Sequence, residues 1–457
     1  MEEAVINYGV ISLIPVLVVI ICAVITKRSF ESLLLGTIVG FLIVEKQNFI
    51  PAWLDSFYTV FKDDTVSWLG LFVVLFGALI ALFERSGALA GFSIFISKFA
   101  NSRRKSLLFT WFIAICMFTD DYLHNMAIGP TMKKVTDKYN VSRAKLAYLS
   151  NSTAAPLCII VPLSTWAVFY SGLLADFNLT EGETPFESYL KVLPYLFYGF
   201  IALIISFLVA NEILPNVWAM KKAEQHVAKQ GVKDEVAQAI KTDDAVATHI
   251  EKEHRPTPIY NFLIPMFLLI TVTIICDVNI IYGIIAALSS MFVLYLAQKI
   301  MTFAQFMETF FTGMQSMMYV IAMVLMTFIL KDINLRLGLP DYIITIAQPY
   351  INASYLPVGV FIFCSIYAYV TGAFWDMAAV MMPILIPLAI NINADPYIIA
   401  AAIFSASALG SQLCLYGDGV ILNSRACEIS PVEHSMTSLP YCLLGGVIAC
   451  VLFIIVG

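Results

Sequence analysis

The segment Thr119-Asp120-Asp121-Tyr122-Leu123-His124-Asn125 sets two adjacent carboxylates, a hydroxyl and an amide directly after an apolar run. Ionisable groups cost several kcal/mol at the middle of a bilayer and persist where they face a cavity or a partner, so each one marks a candidate site. On a helix Asp121 and Asn125, at i and i+4, share one face, while Asp120 points about 100° away. A carboxylate with an amide and a hydroxyl is a hard oxygen-donor set suited to Na⁺ or to a proton, which makes Asp121 the candidate Na⁺ ligand. The plainer alternative is that these residues cap a helix at the membrane interface, with Asp120 as the cap.

A second cluster, Asn151-Ser152-Thr153-Ala154-Ala155-Pro156, precedes Pro162 and Ser164-Thr165-Trp166. Proline removes an amide donor and frees carbonyls that something else must satisfy. A re-entrant hairpin lining a cavity is the expectation, and a tightly packed kinked helix is the alternative. In the second half, Thr371-Gly372-Ala373-Phe374-Trp375-Asp376 offers Asp376 as a second coupling carboxylate. The hydroxyl-rich run from Ser405 through Ser407 to Ser411-Gln412 follows, and then Gly417-Asp418-Gly419, where Asp418 is either a site residue or a turn residue. Aligning the Thr119 and Thr371 segments places the Ser150 and Ser405 clusters some 30 residues further on in both halves. Paired polar interruptions of this kind point to the central site of a transporter.

What positions these residues is set by composition. The 457 residues are 60% hydrophobic and 13% charged, with a mean hydropathy of +0.85, against roughly 45–50% apolar and about 25% charged for soluble domains. Such a chain needs lipid as its outer solvent, which excludes a soluble enzyme and makes it an all-α polytopic membrane protein. Apolar runs at 10–26, 30–44, 67–83, 106–118, 190–210, 259–276, 279–298, 312–330, 354–371, 378–392 and 440–456 set a floor of 11 membrane segments. Fourteen of the 58 charged residues fall in 215–258, dividing a first membrane half, 1–214, from a second, 259–457. That polar stretch reads as a solvated cytoplasmic connection. Lys27-Arg28, Arg103-Arg104-Lys105 and Lys133-Lys134 assign their loops to the cytoplasm too, and parity then puts the amino terminus outside. The start, Met1-Glu2-Glu3, lacks a basic n-region and a cleavage site, so the first run is expected to stay as a helix.

Enzyme readings fail specific tests. HExxH, GxSxG and GxxxxGK[ST] are missing, and the nine cysteines show no CxxC pair and read as packing residues. An intramembrane aspartyl protease needs Gly-x-Gly-Asp, but Leu415 stands where the first glycine should be. No filter-like repeat points to a channel, and without an ATP site ion gradients supply the energy. Cofactors are not expected beyond Na⁺ and H⁺ as coupling ions. The expected partners are the bilayer, an inorganic cation and, in the alternative reading, a small organic solute; nucleic acid is not one.

The runs FTDDYLHNMAIG and KKVTDKYNVSRAKLAYLSNSTAAPLCIIVPLSTW resemble the signature of NhaC-type Na⁺/H⁺ antiporters in the ion-transporter superfamily. The likeness extends to Pro15 with Thr26-Lys27, and to Pro383, Pro387 and Leu439-Pro440-Tyr441. It implies two inverted repeats with re-entrant hairpins, often a homodimer with an elevator-like moving domain, multi-pass insertion in a bacterial-type inner (plasma) membrane, and Na⁺/H⁺ antiport. It also implies Asp120, Asp121, Asn125, Ser152, Thr153 and Pro156 as the first-half site. The second half diverges. Typical members carry an acidic residue at the place of Asn151, a serine-rich turn at Ala373-Phe374 and an Asp-His pair at Ser411-Gln412, and these positions are neutral here. The alternative is therefore a Na⁺- or H⁺-coupled carrier of a small amino acid or carboxylate, its cavity lined by Phe374 and Trp375.

Overall fold

In a computed structural model, residues 8–26, 29–62, 64–88, 91, 95, 101–118, 120–162, 164–175, 177, 179, 185–232, 255–276, 279–339, 342, 345–346, 352–371, 374–414 and 417–457 are described. Within them the fold is all-helical. The first four helices are α1 (Ile14–Thr26), α2 (Ser29–Glu45), α3 (Phe49–Phe61) and α4 (Asp64–Arg85). Next come α5 (Arg103–Cys116), α6 (Asp121–Lys138), α7 (Arg143–Ile160), α8 (Thr165–Ala175), α9 (Pro185–Val192), α10 (Phe197–Ala210) and α11 (Trp218–Gln230). After the polar stretch follow α12 (Tyr260–Ile275), α13 (Ile280–Ala297), α14 (Phe303–Ser316) and α15 (Met318–Arg336). The last five are α16 (Leu356–Thr371), α17 (Phe374–Asn391), α18 (Pro396–Leu413), α19 (Asp418–Cys427) and α20 (Pro431–Val456).

The element order repeats. Arg103 and Leu356, Asp121 and Phe374, Arg143 and Pro396, and Thr165 and Asp418 open equivalent helices, and each pair stands 253 residues apart. Contacts follow the same rule: α5 packs on α7 as α16 does on α18, and α6 meets α19 while α8 meets α17. The central pair is α7 and α18, which touch each other and are buried along almost their whole lengths. Elsewhere, apolar side chains face outward at four-residue intervals: Leu17, Ile21 and Ile25 on α1, and Leu443, Val447, Val451 and Ile455 on α20. Such stripes suit a lipid solvent.

Among the described residues, five helical stretches are long and apolar enough to cross a membrane, or six if the pair Phe186–Tyr195 and Phe197–Ala210, bent by 56°, is one span. The eleven apolar runs therefore do not each become a long span, because several are interrupted. The run at 312–330 is divided at Met317 and the run at 190–210 at Leu196. Shorter apolar helices such as Tyr260–Thr273, Ile281–Ala297 and Met377–Asn391 account for others.

The expected hairpin at 151–156 is corrected: α7 runs unbroken through the cluster with Pro156 inside it and ends at Ile160, and α8 begins at Thr165. The proline frees the carbonyl of Ser152, four residues back, and the side chain of Gln412 on α18 reaches that oxygen at 3.5 Å. Small residues there serve close helix packing.

The connection 215–258 is also not simply solvated. Its helix α11 buries Met220, Ala223 and Val227. Glu224 accepts hydrogen bonds from the Ser142 amide (3.0 Å) and hydroxyl (2.7 Å) at the start of α7, and it pairs with Arg103 of α5. His249 and His254 lie outside the described residues. Loss of this added cap in Glu224→Ala should cost about 1–2 kcal/mol. A lowered melting temperature in detergent, partly restored in Glu224→Gln, is the expected reading.

Candidate functional site

Four helix ends meet at the polar breaks. Asp120 and Asp121 stand at the start of α6, and both are buried. The carboxylate of Asp120 accepts a hydrogen bond from the hydroxyl of Thr165 at 3.0 Å, and that of Asp121 accepts from the Trp166 indole N–H at 2.8 Å. Both donors belong to the first turn of α8, which Ser164 opens by accepting the amide of Ala167 at 3.0 Å. The break at 161–164 thus delivers two donors to two carboxylates. Asp120 does precede α6, with its carbonyl accepting from the His124 amide at 3.0 Å, yet its side chain turns to Thr165.

One turn into α6, Asn125 is 1% exposed and its Oδ1 has no hydrogen-bond partner among the described residues. A buried amide oxygen left without a donor is costly and calls for an occupant. The amide nitrogen of Asn125 lies against Gly419 in α19: a Cβ there would stand 3.3 Å from Asn125 Nδ2, 3.9 Å from the Ser411 carbonyl and 4.0 Å from Asn151 Oδ1. The bare Cα of Gly419 thus lies where side chains of α6 and α7 and the backbone of α18 converge on α19.

Asn151 donates to the Gln412 carbonyl (3.2 Å), and its Nδ2 stands 3.0 Å from His434 Nε2. Gln412 in turn accepts from Tyr198 and Cys442. The other hydroxyls bond within helices: Ser152 and Thr153 reach back to Leu149 O, and Ser411 to Ala408 O. Thr153 also stands 3.1 Å from His124 Nε2, whose ring spans from Met117 O (3.1 Å) to Ser150 O (3.0 Å), tying the break before α6 to α7. Ser407 donates to Phe374 O at 3.2 Å and to Ile403 O at 3.2 Å. The side chains of Thr371, Trp375, Asp376 and Asp418 lie outside the described residues, although the backbone carries them at the end of α16, in the first turn of α17 and at the start of α19.

Asp121, Asn125, Asn151, Ser411 and Gln412 are thus brought to neighbouring helices. Thr165, Trp166, Gly419, Asn423 and His434 are additions. Trp166 carried a signal, an indole in an otherwise hydroxyl-rich break; His434 carried none, being an isolated histidine on an apolar helix.

The packing that holds these parts is close. Tyr170 of α8 stacks on Phe404 of α18 with centroids 3.9 Å apart. On the other side, Arg143 pairs with Asp137 (2.9 Å) and Glu428 (3.3 Å), and Lys133 pairs with Glu428 (2.9 Å), joining α6, α7 and the end of α19.

A family model described as "Na+/H+ antiporter family" matches residues 174–457. The motifs quoted above from the first half lie ahead of that match. A Haemophilus influenzae protein, described only as an uncharacterized protein, is 25% identical over 487 aligned positions, which cover 98% of this chain and 90% of that protein. Among solved structures, the YdaH transporter of Alcanivorax borkumensis superposes with a TM-score of 0.57 at 12% identity, covering 90% of this chain and 88% of that one. MtrF of Neisseria gonorrhoeae, whose structure is described as illuminating a class of antimetabolite efflux pumps, gives 0.53 at 14% identity, with 89% and 83% covered. At these identities the likeness is one of fold.

Proposed function

The chain belongs to the Na⁺/H⁺ antiporter family and is a multi-pass secondary transporter, and from that premise we propose that it exchanges Na⁺ for H⁺ at Asp121. The observation that carries the reading is a buried carboxylate one helical turn from the unpartnered Oδ1 of Asn125. A cation at that turn gains a charged and a neutral oxygen ligand, and a proton on Asp121 removes the charge that holds the cation. Competition between the two for one site, with alternating access, is antiport.

The equivalent helix ends of the two repeats are unlike, which supports one ion centre rather than two. At the 253-residue spacing, Asp120 and Asp121 correspond to Ala373 and Phe374. The same asymmetry supports the second reading, in which the neutral side takes a small amino or carboxylic acid and the ion at Asp121 drives it. Inverted orientation of the halves, a homodimer and residence in a bacterial-type plasma membrane belong to this proposal.

The test is a sodium-triggered pH change in proteoliposomes, set against accumulation of labelled amino and carboxylic acids. A sodium-dependent pH signal without added solute supports antiport; accumulation without that signal overturns it in favour of the solute carrier. Trp166→Phe, which removes the indole donor from Asp121, should lose about 1 kcal/mol of interaction and so shift the half-saturating sodium concentration about fivefold. An unshifted titration would make that hydrogen bond incidental to ion binding.

A further inference from the structure

His434 lies on α20, fully buried, and no step above uses it. Its Nε2 is within reach of two amide nitrogens, Asn151 Nδ2 at 3.0 Å and Asn423 Nδ2 at 3.3 Å. Each of those amides also donates to a backbone carbonyl, Asn151 to Gln412 O at 3.2 Å and Asn423 to Ala147 O at 2.8 Å. Turning either amide over would aim its oxygen at a carbonyl, acceptor against acceptor, so both are fixed with nitrogen inward. Nε2 must then be the unprotonated, accepting nitrogen. The ring proton resides on Nδ1, which faces the Ser438 hydroxyl at 3.4 Å.

With its nitrogen held this way, Asn151 presents Oδ1 to the opposite side, toward Gly419 and the amide of Asn125. We infer that His434 is a positioning residue for the cargo site: its Nε2 locks the Asn151 carboxamide so that Oδ1 faces the amide nitrogen of Asn125 beside Gly419, which leaves the Asn125 Oδ1 turned away from Gly419 and available to the ion at Asp121. The imidazole at the same time joins α7, α19 and α20, three helices whose chain positions lie up to 283 residues apart. This rests on the reading that the ion is held by Asp121 and the Oδ1 of Asn125.

The test uses full-length protein in proteoliposomes and compares His434→Leu, His434→Gln, Asn151→Ala and the double variant Asn151→Ala/His434→Leu. His434→Leu should raise the half-saturating sodium concentration about tenfold, or about 1.4 kcal/mol, with the maximal rate within about twofold of wild type. The Oε1 of His434→Gln can take both amide donors, so this variant should return within about threefold of wild type. The double variant should match Asn151→Ala, since His434 acts through Asn151. Additive effects, or a fall in maximal rate with unchanged half-saturation, would overturn the inference. A second readout does not depend on the cargo. Nitrogen-15 spectra of histidine-labelled protein in bilayers, with His434 assigned by its loss in His434→Gln, should show a pyridine-type Nε2 that moves in Asn151→Ala. An Nε2–H ring would overturn the inference even if sodium exchange were established. A wild type with no sodium signal would overturn the antiport reading and leave the ring tautomer to decide the other.

Discussion

Asp121→Asn should abolish coupled transport, lowering the sodium-triggered pH signal by at least about a hundredfold, or about 2.7 kcal/mol, while the protein stays folded. The two side chains have nearly the same shape, and the amide oxygen can still accept from the Trp166 indole at the position of Oδ1. What disappears is the negative charge and the proton-binding site. An Asn cannot alternate between a protonated and an ion-loaded state, so the exchange cycle has no coupling step. Folding should not suffer, since burying a neutral amide costs less than burying a carboxylate. Melting temperature and gel-filtration profile should therefore match wild type or improve on it. Undiminished exchange by the folded variant would remove Asp121 from the mechanism, whereas loss of both folding and exchange would make it structural.

Hydropathy reported the outer helices and passed over the inner ones, for a physical reason. Stretches such as α1, α12 and α20 turn an exposed apolar face outward, as a lipid solvent requires, and stand out as runs. The helices that hold the site, α6, α7, α18 and α19, are surrounded by protein, so they can carry Arg143, Asn151, Ser407 or Asn423 without meeting hydrocarbon. None of the four appears among the eleven apolar runs. Their polar clusters nevertheless gave them away, carboxylates in α6 and α19 and neutral hydroxyls and amides in α7 and α18, and the i, i+4 face of Asp121 and Asn125 followed from helical geometry alone. The position of the breaks was harder to read. Pro156 advertised one, but the carbonyl it frees is met by Gln412 from the other repeat, 260 residues away, a contact that no local pattern encodes. The break at 161–164 was signalled only by Pro162 and the hydroxyls of Ser164 and Thr165. The long-range partners of Asn151, His434 above all, depend on where α20 comes to rest, which spacing along the chain does not specify.

The crossing of α6 and α19 is tight enough that one added side chain should open it. A Cβ built on Gly129 would lie 2.5 Å from the carbonyl oxygen of Ala426 and 2.6 Å from its carbon. Both are backbone atoms of a helix, so no rotamer change relieves the overlap; the helices must separate. Asn125 lies one turn before Gly129 on α6, and Gly419 lies two turns before Ala426 on α19, so separation at the crossing widens the space where Asn125 and Asn151 converge. Gly129→Val should therefore cost about 2–3 kcal/mol of stability, as overpacking of a close-packed interior does. It should also lower exchange more than tenfold, because oxygen ligands moved by about 1 Å no longer enclose the ion. Gly359 of α16 is the control: a Cβ there meets nothing within 4 Å, and Gly359→Ala should be neutral or stabilise by about 0.5–1 kcal/mol through helix propensity. Thermal unfolding in detergent and the sodium-triggered pH signal measure both variants. If Gly129→Val melted and exchanged like Gly359→Ala, the close approach of α6 to α19 would not be what holds Asn125 beside Gly419.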